Sequence, residues 1–339
     1  MTMQRKSFAS RTLGVIAAAM VTGATMIQPA VAGPGDGVSV QPIATGRADQ
    51  YFQNFIVQIG LERLGYEVKD HLEAQYPAMH LAIGQGDADY MATHWDPLHS
   101  EFYERAGGDD TLRRHGQLVQ GAAQGYLIDK ATADEHGITN LGQLTDPEIA
   151  ALFDSDGDGK ANLSGCNPGW GCEAVIEHQL DAFDLRDTVT HDQGEYFALM
   201  ANTMSRRDAG DPILYYTWTP LWVSSLLRPG QETVWLDVPF SSLPGDRSEV
   251  DTATPDGRNL GFETNAIRVM ANKEFSEANP AAVQFFELLE IPIGDVNAAI
   301  LRQKEGEDKI DQIRGHAEEW VSENAEKFDA WIAEAEAVE

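Results

Sequence analysis

The sequence predicts an α/β fold built as two lobes, and three observations carry that expectation. Strand-like and helix-like segments alternate along the first third of the chain, the pattern of a layered α/β sheet. Two motifs, Trp95-Asp96-Pro97-Leu98-His99 and Trp218-Thr219-Pro220-Leu221-Trp222, are near-copies in which a strand ends on a tryptophan and proline opens the next helix. Two strand-like runs far apart in sequence read as crossings between lobes. The first is Tyr126 to Asp129, led in by Gly121-Ala122-Ala123-Gln124-Gly125, and the second is Asn265 to Ala271. They assign residues 33–122 plus 264–339 to one lobe and residues 123–263 to the other.

Residues 1–32 read as a secretory signal. Arg5, Lys6 and Arg11 precede an apolar run from Leu13 to Ile27, and Ala30-Val31-Ala32 supplies the small-residue cleavage pattern. The run is short for a membrane span and contains Gly14 and Gly23, and no cysteine stands at the cleavage site to take a lipid. A protein cleaved after Ala32 and exported to a Gram-negative periplasm is the expectation.

Val38, Val40 and Ile43 mark a first strand over 38–45. Phe52, Phe55, Ile56, Ile59 and Leu64 then recur at helical spacing and stop before Gly65. Tyr66-Glu67-Val68 is a short strand, and Ala78 to Ile83 is helical, with Gly86 suited to cap it. Asp89 to Thr93 predicts a strand that delivers His94 and Trp95 at its carboxyl end, where open parallel sheets bind ligands. Near the C-terminus, Ile310, Ile313, Ala317, Trp320, Val321, Phe328, Trp331 and Ile332 form one apolar stripe on charged helix. Trp320 and Trp331 are therefore expected in the core, and Trp222 and Trp235 as packing residues.

Composition narrows the function. The 339 residues hold 54 acidic and 24 basic side chains, a net charge of −30, so nucleic acid is not an expected partner. Such self-repulsion is tolerated best in a salty medium, where counterions screen it. There is no Gly-x-Ser-x-Gly elbow, His-Glu-x-x-His, Walker loop or Gly-x-Gly-x-x-Gly after a strand, so the usual enzyme classes lose weight. Asp154, Asp156, Asp158 and Asn162 match the first, third, fifth and ninth positions of a calcium loop, but the twelfth is Gly165. Without a bidentate glutamate the loop is either a solvated turn or a weak structural calcium site, and no other cofactor is expected.

The segment Gly165-Cys166-Asn167-Pro168-Gly169-Trp170-Gly171-Cys172-Glu173 carries both cysteines of the chain. In an exported protein they read as a disulfide. A metal alternative would join them to His178 but lacks a fourth ligand. The run after Cys172 looks helical, so the N–H groups of Gly171 and Cys172 lie near a helix N-terminus and suit a carboxylate. Trp95, Trp170 and Trp218 each sit at a turn, and converging indole faces attract a cation that cannot hydrogen-bond, such as a quaternary ammonium.

With these segments, Gln120 to Lys130, Tyr215 to Pro220 and Val238 to Asp246, the chain closely resembles the ProX-type glycine betaine/proline betaine-binding proteins of osmoregulatory ABC importers. The resemblance covers essentially the whole mature chain. It implies a type II periplasmic-binding-protein fold with the ligand in the cleft between lobes, a betaine as ligand, and an ABC permease of the inner membrane as partner. It also implies that Trp95, Trp170 and Trp218 box the trimethylammonium group. The carboxylate would be held by His99 and the backbone N–H groups of Gly171 and Cys172. Asp96, beside the cage, is expected to face solvent, and a monomer is expected. Two rivals from other classes are a hydrolase using Cys172 or a serine with His99 or His178, and a calcium-dependent sugar-binding module. Another quaternary ammonium or sulfonium zwitterion is the alternative ligand.

Overall fold

The computed structural model describes residues 33–254 and 257–338, so the expected signal segment, 1–32, lies outside the described residues. The chain opens with β1 (Ser39–Val40), β2 (Ile43–Ala44), α1 (Ala48–Arg63), β3 (Glu67–Val68) and β4 (Leu72–Glu73). The single strand expected over 38–45 is two short ones, interrupted at Gln41-Pro42, where Pro42 lacks the N–H a ladder needs. α2 (Tyr76–Gln85), β5 (Tyr90–Asp96) and α3 (Ser100–Arg105) lead into the long strand β6 (Leu112–Asp129). Gly86 ends α2 at φ +79°, a left-handed cap that other residues adopt at a cost.

Beyond β6 come α4 (Lys130–His136), α5 (Pro147–Ala150), β7 (Ala161–Ser164), α6 (Gly171–Ala182), β8 (Val189–Asp192) and α7 (Tyr196–Ala209). β9 (Leu214–Thr219), α8 (Trp222–Leu226), β10 (Thr233–Trp235) and β11 (Asn265–Asn272) follow. The chain closes with α9 (Lys273–Ala278), α10 (Pro280–Leu288), α11 (Ile293–Lys304), α12 (Ile310–Glu323) and α13 (Ala325–Glu336). Among the described residues, no helix is long and apolar enough to cross a membrane.

The central sheet runs β5-β11-β6-β9-β7-β8, with β10 on β6. It is mixed, which corrects the parallel sheet expected from alternation alone. β7 pairs in parallel with β8 and β9, whereas β11 is antiparallel to β5 and β6, and β6 is antiparallel to β9 and β10. The antiparallel pairs all involve β6 or β11, neither of which continues a strand-helix-strand unit with its neighbours. β6 changes partner midway: Leu112 to Ala122 lie along β11, and Ala123 to Ile128 along β9. Gly121, at φ +73°, takes the bend at the changeover, beside a register shift in the β11 ladder.

The main core contains Phe52, Ile56, Tyr90, Tyr126, Tyr215, Phe285 and Phe328, and takes in Trp320 and Trp331 as expected. A smaller cluster around Met79, Ile83, Met91 and Tyr103 underlies α2 and α3. Of the C-terminal stripe, Ile313, Ala317, Val321 and Ile332 are buried, while Ile310, at the first residue of α12, is 52% exposed. These elements make a two-lobed α/β architecture around the central sheet.

Candidate functional site

Six residues singled out from the sequence, Trp95, His99, Trp170, Gly171, Cys172 and Trp218, line one cleft with about 540 Å³ of space between its walls. Each wall carries one copy of the tryptophan-proline motif. β5 ends beyond Trp95, and β9 beyond Trp218. The peptide bonds Asp96–Pro97 and Thr219–Pro220 are both cis. The prolines lie in the turns and not in the first helical turn: α3 starts at Ser100 and α8 at Trp222.

Each turn is pinned the same way. The Leu98 N–H donates to Asn265 Oδ1 at 2.9 Å, and the Leu221 N–H to Asn297 Oδ1 at 3.0 Å. Neither asparagine stands near its motif in sequence, so these supports were invisible at that level.

Trp170 and Trp218 meet edge to face, with ring centroids 5.9 Å apart. Tyr196 lies against Trp218 at 4.4 Å and fixes its own hydroxyl on Thr217 Oγ1 at 2.8 Å. Trp95 and Trp218 are buried, and Trp170 is half-buried. Gly171 seats the walls together: a Cβ added there would lie 2.9 Å from Leu98 Cγ. The Trp170 indole also donates to Gln75 Oε1 at 3.4 Å. Indoles set in a cleft do not offer the open stacking platform that a sugar-binding module needs.

Cys166 and Cys172 form a disulfide, which leaves neither thiol for a metal or a nucleophile. His178 bonds Ser242 Oγ at 2.9 Å instead. α6 begins at Gly171 with no side-chain cap. Among the described residues the N–H groups of Gly171 and Cys172 have no protein acceptor, so both are available at the positive end of a helix dipole.

His99 is held as a neutral donor. Its Nδ1 accepts the Trp95 N–H at 3.2 Å, so the ring proton is on Nε2. Burial pushes its pKa well below the ordinary 6.5, and His80 and Arg247 push the same way. A ring that stays neutral across physiological pH still donates one hydrogen bond. This moves the titration away from the value near 6.5 that an unperturbed histidine would show. Behind it, His80 Nδ1 donates to the Tyr76 carbonyl at 2.6 Å, and His94 Nδ1 donates to His80 Nε2 at 3.0 Å. His94 Nε2 is buried with no partner among the described residues. Burial lowers His80 to about 4 and His94 well below 6.5.

Asp96 corrects the sequence reading. It does not face open solvent: Arg268 Nε lies 2.7 Å from one carboxylate oxygen and Arg114 Nη1 3.1 Å from the other. The acidic loop lies apart from the cleft lining. Its three aspartates bring carboxylate oxygens within 4.8 Å of one another. Asp154 accepts the N–H groups of Gly157 and Gly159, which lowers its pKa. Asn162 Oδ1 takes the Ser155 N–H, so the ninth position is engaged within the loop.

Sequence reasoning missed Arg47, Asp49, Tyr76, Gln124 and Tyr216, which also line the cleft. Tyr216 donates to Gln124 Oε1 at 2.6 Å, fixing both on the floor. Arg47 held one legible signal: a cation at the N-cap of α1, against the helix dipole, two residues before an aspartate. Burial works against its charge, but Asp49, helped by Tyr76 and Tyr196, favours it and the pKa is raised.

The arrangement is a cleft with an aromatic, cation-attracting region and a cluster of uncharged hydrogen-bond donors, and it defines a solute-binding protein. Residues 38–323 match the family described as the substrate-binding domain of ABC-type glycine betaine transport systems, and the chain belongs to that family. It is 49% identical over 302 residues to the glycine betaine/proline betaine-binding periplasmic protein of Escherichia coli K12, covering 89% of this chain and 91% of that one. It is 47% identical over 304 residues to the glycine betaine-binding periplasmic protein OusX of Dickeya dadantii, covering 90% and 92%. The closed, liganded lactococcal OpuAC with glycine betaine superposes with a TM-score of 0.65 at 17% identity, over 87% of this chain and 99% of that chain. The family is one of transport binding proteins, not of enzymes.

Proposed function

We propose that this protein captures glycine betaine and related betaines such as proline betaine in the periplasm and delivers them to an ABC permease of the inner membrane for osmoprotection. The observation that carries this reading is the combination, in one cleft, of three indoles with uncharged donors at His99 Nε2, Gly171 N and Cys172 N. A betaine is a zwitterion whose cation offers no N–H and whose carboxylate needs donors. Indole faces answer the first, and helix-end amides with a neutral imidazole answer the second, without leaving an unpaired charge in the cleft. Closure of the lobes supplies the last wall and lets a permease distinguish loaded from empty protein.

The same reading has the chain exported by residues 1–32, monomeric, and hinged where β6 changes partner and where β11 begins, so that 33–122 plus 264–339 move against 123–263. A calcium ion in the acidic loop is expected to be weakly bound at most, at about 10⁻⁴ to 10⁻³ M, and dispensable for the ligand.

The test is titration of the mature protein with glycine betaine, proline betaine, choline and maltose, followed by tryptophan fluorescence and calorimetry with and without a calcium chelator. Saturable binding of both betaines, weaker binding of choline and no response to maltose are expected. Choline binding as tightly as glycine betaine would remove the carboxylate donors from the account, and silence toward every betaine would overturn it.

A further inference from the structure

Arg47 brings a cation of the protein's own to the tryptophan cage. Its side chain is 15% exposed, and Asp49 holds it through Nε to Oδ1 at 3.0 Å and Nη2 to Oδ2 at 2.5 Å. The guanidinium carbon lies 4.8 Å from the Trp170 ring centroid, 5.2 Å from Phe197 and 5.3 Å from Trp218. Arg47 and Asp49 belong to the start of α1, whereas the three rings come from the turn before α6, from α7 and from β9. The contact therefore spans the cleft.

A second cavity adjoins the ligand cleft and shares Asp49 and Ile300 with it; its remaining wall includes Phe197, Trp222 and Lys304. There the Lys304 ammonium lies 4.4 Å from the Trp222 ring, another cation on an aromatic across the same gap. Asp49, the ion-pair partner of Arg47, thus lines both cavities, and Arg47 lines the ligand cleft.

We propose that Arg47 is a latch at the mouth of the cleft, a positioning residue that grips the aromatic wall of the opposite lobe and holds the ligand in after closure. The inference rests on the two-lobed betaine reading above. A guanidinium and a quaternary ammonium can share the same indoles because each ring has two faces. Asp49 neutralises the arginine, so the ligand's cation meets an ion pair and not a bare positive charge. A contact made only when the lobes meet acts on escape more than on entry, and differences among variants of one binding site fall mostly in the dissociation rate.

Stopped-flow tryptophan fluorescence with glycine betaine tests this on the mature full-length protein carrying Arg47→Met, which keeps an apolar stem and removes the charge, and Arg47→Lys. The latch predicts a dissociation rate raised roughly tenfold in Arg47→Met, an association rate changed by less than about threefold, and an intermediate value for Arg47→Lys. Circular dichroism checks the fold of both. Unchanged dissociation, or tighter betaine binding by Arg47→Met, would overturn the proposal; the second result would make the guanidinium a competitor for the cage.

The parent protein separates this outcome from failure of the functional reading. A saturable betaine response in the parent with unchanged dissociation in Arg47→Met refutes the latch alone, whereas no betaine response in the parent overturns the functional reading on which the latch rests. With betaine saturating, acrylamide should quench Arg47→Met more than the parent protein, and equal quenching would refute the latch.

Discussion

On the proposed reading Trp170 has much to lose on truncation, since its ring meets Trp218 and the Arg47 guanidinium while its backbone leads into α6. Trp170→Ala is expected to cost about 2–4 kcal/mol of glycine betaine binding, by comparison with buried aromatic anchors. That is roughly a 30- to 700-fold weaker Kd by calorimetry, and an unchanged Kd would remove Trp170 from the cage. His99 makes a different prediction. Because Nδ1 accepts from Trp95 and burial keeps the ring neutral, affinity should be flat between about pH 6 and 8. His99→Ala should weaken binding at each pH in that range. An inflection near 6.5 in the parent protein, absent from His99→Ala, would show that the ring titrates in place. At this scale the sequence exposed the tryptophans, His99 and the cysteine loop because each belongs to a local motif. What Arg47 and Asp96 touch stayed hidden, since their partners at Trp170, Phe197, Arg114 and Arg268 are set by the tertiary fold.

On the proposed reading the element that matters most is the N-terminus of α6, where the disulfide, Trp170 and the amides of Gly171 and Cys172 converge within a few residues. Gly171 has no positive φ, so its role is one of space: a Cβ would meet Leu98 Cγ at 2.9 Å and the Leu98 carbonyl oxygen at 3.1 Å. Gly171→Ala should therefore resist closure while leaving α6 helical. Overpacking of this kind costs about 1–3 kcal/mol, so Kd should rise roughly 5- to 150-fold with an unchanged circular dichroism spectrum. An unchanged Kd would mean that Leu98 yields and the walls need not touch so closely. Periodicity located α1, α2, α6 and the C-terminal stripe to within a few residues. Strand direction was not legible, because hydrophobic alternation is the same whichever way a neighbour runs. β6 and β11 are antiparallel to their neighbours for reasons of chain path, which only the assembled sheet reveals.

At the scale of the molecule, five histidines have pKa values pushed down in the fold. Burial lowers His71 and His80 to about 4, and it lowers His115, with His94 and His99 well below 6.5. A base whose folded pKa is depressed is neutral in the native state and takes up its proton only on unfolding. The unfolded chain then binds more protons than the folded one below about pH 6.5, so stability is complete above that value and lost as pH falls toward 4. For fully buried His80 the loss approaches about 1.4 kcal/mol for each pH unit well inside that window. Urea unfolding at pH 7, 6 and 5 should show free energy falling steeply with acidification. The slope should lessen by up to one proton in His80→Asn, which removes one of these titrations and keeps a polar group beside the Tyr76 carbonyl. Stability independent of pH from 7 to 5 would mean that these rings gain protons in the native state. The buried chain from Tyr76 through His80 to His94, which backs the donor at His99, would then have to open without unfolding the lobe that carries it.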